Sequence, residues 1–173
     1  MMISFLICDP TTWWKLAGSW LIKTVDRSSG SHFAIRCETY SGVKIYESVF
    51  PKSTRSPEEE WLKHYKVIKR YDFEVPSAHQ AAVLEWLESM VGVWYSVPQL
   101  ALIALSIILR PLVFIFNRTI LNHEKALICT ELGSRFVEKF MRWIFTKSHD
   151  NIGVREMTYI SGRLNKTARP WKE

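Results

Sequence analysis

The chain is poor in the residues that build disulfide-stapled, fibrous or linker proteins. Of its 173 residues only three are cysteine, seven are glycine and seven are proline. Scattered thiols at Cys8, Cys37 and Cys129 make no disulfide framework, and an odd number leaves at least one free. No Cys-x-x-Cys and no paired His/Cys spacing is present, so no structural zinc site is expected. So little Gly and Pro excludes a collagen-like or flexible-linker chain. Internal repeats and low-complexity stretches are missing too. The N-terminus, MMISFLICDP, is apolar but lacks the basic n-region and small-residue cleavage site of a signal peptide. A cytoplasmic location is the resulting expectation, with a membrane-associated or phage-delivered protein as alternatives.

What is present fits a folded domain. Apolar residues make up 47% and charged residues 23%, while aromatics reach 13% with eight Trp. The net charge of +6 suits attraction to phosphate or anionic polymers, but no specific nucleic-acid footprint is expected. After Asp150 come Arg155, Arg163, Lys166, Arg169 and Lys172 against only Glu156 and Glu173, which reads as a solvated basic segment over 151–173 following a domain at 1–150. Residues 89–109 carry no charged side chain, about the length that spans a bilayer. Gly92 and Pro98 divide that stretch, and Trp94, Tyr95, Ser96 and Gln99 dilute its first half. The expectation is a packed helix over Leu100–Leu109 broken at Arg110-Pro111, with membrane-surface contact through 97–116 as the alternative.

Three short strands joined by tight turns are predicted at 20–26, 32–38 and 43–49, an antiparallel meander. Ser56 is a candidate N-cap with Pro57 in the first turn and Glu58, Glu59 and Glu60 behind it. Residues 65–75 alternate as a further strand. Ser77 and Gln80 resemble a capping box for a helix ending at Gly92, and a long helix is predicted over 128–145. Strands first and helices later describe an α+β domain.

Cys8 and Cys37 read as small buried hydrophobes. Cys129 differs: in LICTELGSRFVEKF an apolar approach meets the start of the long helix, where free N–H groups and the dipole favour a thiolate. A reactive thiol needs a base, and the base an orienter. His64, His79, His123 and His149 lie in charged surroundings typical of solvated histidines. His32 opens a strand, which fixes its backbone, and Glu47 lies on the next strand among apolar neighbours, so the two can face each other. The same spacing also fits a turn histidine and a solvent-facing glutamate.

The order SHFAI with His32, YES with Glu47, GVWY with Tyr95, then CTEL with Cys129 resembles the permuted papain-like cysteine hydrolases. These are circularly permuted relatives of cell-wall amidases of the NlpC type, including the YiiX-like group. The similarity covers about residues 18–145. Thr130 stands where the family has Ser, and Ser96 where it commonly has Asp. The resemblance implies a circularly permuted papain-like α+β fold, with a small antiparallel sheet packed on a nucleophile-bearing helix. It also implies a Cys129–His32–Glu47 acyl-enzyme mechanism that calls for no metal or organic cofactor, with Tyr95 and Thr130 at the oxyanion or substrate pocket. The substrate class would be a peptide amide or isopeptide, such as a cell-wall peptide, or a lipid acyl group. A fold relative without turnover, working as a membrane-associated binding domain, is the non-enzymatic alternative.

Overall fold

The computed structural model describes residues 1–12, 19–20, 22–23, 26–95, 126–127, 129–146, 149 and 152–172. Its centre is the N-terminal run itself. Strand β1 (Met2–Pro10) is buried almost throughout because a neighbouring strand pairs with it on each side. Strands β2 (His32–Thr39), β3 (Gly42–Glu47), β4 (Thr54–Pro57) and β5 (Tyr65–Glu74) complete an antiparallel sheet in the order β4-β3-β2-β1-β5. The meander is therefore real, but its first strand is β1 and not residues 20–26. The described residues of that stretch (Trp20, Ile22, Lys23 and Asp26) are helical. Local β-propensity yields there to tertiary contacts. Ile22 packs against the core, Lys23 pairs with Asp9 at 2.7 Å, and the Asp26 carboxylate accepts the Arg155 N–H at 2.7 Å.

Four helices follow the meander among the described residues: α1 (Glu58–Trp61), α2 (Ser77–Ser89), α3 (Cys129–Phe140) and α4 (Val154–Asn165). Ser56 belongs to β4, and Pro57 occupies the N-cap of α1. No capping box forms at α2: Pro76 is its N-cap, and the Gln80 side chain donates to the Val75 carbonyl at 3.1 Å. Helix α3 stops at Phe140, short of the predicted 145, and Ile144 is left exposed. A short parallel pair, β6 (Trp94–Tyr95) with β7 (Ala126–Leu127), leads into α3.

Side chains alternate across the sheet, so each strand feeds two clusters. Ile3, Phe5, Ile7, Phe33, Ile35 and Phe73 face α2, α3 and α4, meeting Leu87, Phe136 and Met157 among others. Each such fully buried side chain contributes about 1.5–3 kcal/mol relative to exposure. Leu6, Cys8, Ala34 and Ile45 face the other way, onto Trp61 and Tyr65. The C-terminal segment is not simply a solvated tail, because Val154, Met157, Ile160, Leu164 and Trp171 are buried in the main cluster. Its basic groups lie on the remaining face, Lys166 and Lys172 being exposed.

Among the described residues no helix is long and apolar enough to cross a membrane. The helix predicted over Leu100–Leu109, and the stretch 97–116 with it, lie outside the described residues.

Candidate active site

Two elements bring the predicted trio together. Strand register places Ala34 opposite Glu47, so His32, two residues along on the same face, is the diagonal neighbour of that glutamate. Long side chains span such a diagonal. His32 Nε2 lies 2.7 Å from Glu47 Oε2, with both side chains largely buried. Nδ1 is thereby left for the Cys129 thiol, with which the imidazole is in hydrogen-bond contact. Cys129 is the first residue of α3, and the helix reaches β2 because Gly133 lies one turn further on. A Cβ at Gly133 would stand 2.4 Å from the Phe33 ring, so only glycine permits this approach.

Electrostatics follow from that contact. Burial disfavours the Cys129 thiolate, but the His32 hydrogen bond and charge, with the backbone N–H groups of Phe33 and Thr130, outweigh it and hold the thiol below its ordinary range. Burial also disfavours an imidazolium, yet hydrogen bonds and attraction from Cys129 and Glu47 raise His32 to about 10. The contact therefore favours the charged form of each partner, thiolate and imidazolium, with Glu47 behind the ring. The other thiols go the opposite way. Burial, then Glu47, pushes Cys8 well above the ordinary thiol range, and burial pushes Cys37 up to about 11.

Thr130 contributes through its backbone N–H, its side chain being buried. The Tyr95 backbone pairs with Leu127 two residues before Cys129, while its side chain, and so its predicted oxyanion role, falls outside the described residues. Ser96 is likewise outside.

Tyr65 is the site residue that sequence reasoning missed. Its ring stacks on His32 (centroids 5.1 Å apart, 18° between planes), its hydroxyl hydrogen-bonds Glu47, and Trp61 stacks on its far side at 4.7 Å. A register shift hid it. Ile7 pairs with Lys69 but Cys8 with Val67, so β5 changes faces between them, and Phe73 and Tyr65 point to opposite clusters despite equal parity. Cys8, opposite His32 in the register, donates its S–H to the His32 carbonyl at 3.6 Å. Gly133 was visible as a signal: glycine inside a helix costs about 1 kcal/mol against Ala and marks close approach.

Two of the remaining described histidines are not simply solvated. His79 contacts the Lys172 carbonyl at 2.8 Å, and His149 bridges Ser134 Oγ at 2.9 Å and Glu138 Oε2 at 2.7 Å. His64 is exposed, and His123 lies outside the described residues. Among the described residues no group of His, Cys, Asp and Glu is arranged to hold a metal ion. No protein-family model and no curated protein matches the chain.

Proposed function

We propose that the chain is a thiol hydrolase of the permuted papain-like kind, cleaving an amide or isopeptide bond through an acyl-enzyme. The observation that carries this reading is the unbroken hydrogen-bonded series Cys129–His32–Glu47 at a helix N-terminus. A five-stranded antiparallel sheet with the thiol-bearing helix against β2 also supports the permuted papain-like arrangement.

In this mechanism the Cys129 thiolate attacks the carbonyl carbon and the carbonyl π electrons move to oxygen. On collapse the C–N bond breaks, and the nitrogen takes the proton from His32 as the amine leaves. Neutral His32 then accepts a proton from water, whose oxygen attacks the thioester. The sulfur departs as thiolate and the acid is released. Glu47 keeps the imidazole oriented and its charge matched throughout.

The test is intact-mass trapping over a panel of cell-wall stem peptides, isopeptides and acyl lipids. An acyl adduct on Cys129, absent from Cys129→Ala, is the expected result and names the substrate class. Adducts that map equally to Cys8 or Cys37, or none with any amide or isopeptide, sink the reading.

A further inference from the structure

We propose that the edge of the domain beside the thiol, formed by Phe50, Lys52, Val91 and Trp94, is a docking surface for an anionic lipid bilayer. Phe50 is 72% exposed, Trp94 60% and Val91 39%, an unusual display of apolar side chains for one edge. Two tied loops carry it. The Ser53 N–H donates to the Val93 carbonyl at 2.8 Å, the Gly92 N–H donates to the Ser53 carbonyl at 2.9 Å, and Ser53 Oγ donates to the Met90 carbonyl. Gly92 makes the turn at φ +87°, a conformation other residues adopt with strain. The aromatics are therefore held outward by a built scaffold.

Two features identify the occupant. First, Lys52 Nζ lies 4.4 Å over the centre of the Trp94 ring, so the patch pairs aromatic surface with a cation. Trp and Lys share the headgroup depth of a bilayer, where the ring is half-solvated and the ammonium meets phosphate. The protein's net charge of +6 favours an anionic leaflet as well. Second, the acidic group at the end of the adjoining helix, Glu88, is already paired with Arg55 and does not oppose such a surface freely.

The location matters for chemistry. Phe50 lies three residues after Glu47, and Trp94 pairs with Ala126, three residues before Cys129. Both strands that lead to the candidate site therefore pass through this edge.

Full-length protein carrying Cys129→Ala, which removes turnover, is sedimented with vesicles of phosphatidylcholine alone and of phosphatidylcholine with phosphatidylglycerol. Selective pelleting with the anionic vesicles is expected. The double substitution Phe50→Ala/Trp94→Ala should weaken that partitioning roughly tenfold or more, and Lys52→Glu should remove the preference for anionic lipid. All three positions are exposed, and an unchanged near-ultraviolet spectrum checks folding. Equal pelleting with and without lipid overturns the proposal. So does binding by the double variant at wild-type strength, which would assign the contact elsewhere, or an effect of the variants only on the KM for a soluble peptide. Vesicle binding is read without turnover, so its outcome is independent of the hydrolase reading.

Discussion

Helix α3 carries two histidine-centred constellations of nearly the same composition, and they differ in what the histidine meets. At its N-terminus His32 bridges Cys129 and Glu47, and along its flank His149 bridges Ser134 and Glu138. The histidine–carboxylate distance is 2.7 Å in both. The difference lies in the nucleophile-type side chain. Cys129 sits at the helix start with backbone N–H groups on its sulfur, whereas Ser134 is 0% exposed inside the helix and donates to the Glu131 carbonyl at 3.2 Å. One histidine favours the thiolate of a group at the helix's positive end, while the other staples the chain after Phe145 to the helix flank. Position relative to a helix terminus and to solvent, more than the identity of the three residues, separates a candidate active site from a structural clamp.

Substituting the two nucleophile-type residues should break the comparison most visibly. Cys129→Ala is expected to lower kcat/KM roughly 10⁴-fold or more with little loss of stability. Ser134→Ala should leave kcat/KM within a few-fold but lower the urea unfolding free energy by about 1–3 kcal/mol, since the His149 nitrogen loses its buried partner. Comparable loss of turnover in both would show that the two constellations work as one.

Alkylation kinetics sharpen the contrast through pH. Cys129 is held below the ordinary thiol range, so its thiolate persists to lower pH than an ordinary thiolate and disappears only as pH falls through that depressed value. A thiol with pKa of about 8.5 is only ~0.3% ionised at pH 6. Removing the ion-pair partner by His32→Ala should therefore slow iodoacetamide labelling of Cys129 at pH 6 by roughly tenfold to a hundredfold. His149→Ala should leave that rate unchanged. Turnover, unlike labelling, should also fall as pH rises through about 10, where His32 loses the proton it gives the leaving group. Identical labelling rates for wild type and His32→Ala would dissolve the catalytic pair.

Much of this was legible in the sequence, for identifiable reasons. Strand β2 is buried on both faces, but its sequence alternates His32, Ala34 and Arg36 with Phe33, Ile35 and Cys37, and β3 and β5 carry strand-forming residues after turn or polar stretches, so all three showed. Cys129 stood out because an apolar approach met a helix start. Strand β1 did not, because burial on both faces erases the period of two, leaving a run that reads equally as targeting segment or core. Residues 20–26 look like a strand, but the described ones among them are helical, and Lys23 and Asp26 are tied to Asp9 and to the start of α4, partners remote in sequence. Tyr65 was hidden by a register shift that no local pattern announces.

Gly133 tests how the helix end is brought to the strand. A methyl group there meets the Phe33 ring at 2.4 and 2.7 Å and Met157 Cε at 2.9 Å, so something must shift. Gly133→Ala is expected to cost about 1–3 kcal/mol in urea unfolding, as overpacked cores do. It should also slow Cys129 labelling at pH 6 by several-fold, because α3 moves away from β2 and the His32 contact lengthens. A stabilised protein with unchanged labelling would mean that the ring simply turns aside, and that the close approach is not what sets the pair.

The smallest expected effect belongs to Tyr65, which acts through its neighbours. Burial, then the Glu47 charge, raises its hydroxyl well above the ordinary phenol range, so it stays protonated and donates to the carboxylate that orients His32. Tyr65→Phe keeps the ring stacked between His32 and Trp61 and removes only that hydrogen bond. The bond is worth about 0.5–1.5 kcal/mol, a roughly 2- to 12-fold fall in kcat. KM should be unchanged if the loss is purely one of imidazole positioning. Tyr65→Ala removes the stack as well and should fall further, because His32 is then free to rotate away from the sulfur. The split between the constants decides the role: a raised KM at constant kcat in Tyr65→Phe would make Tyr65 a wall of the substrate pocket and not the support behind the base.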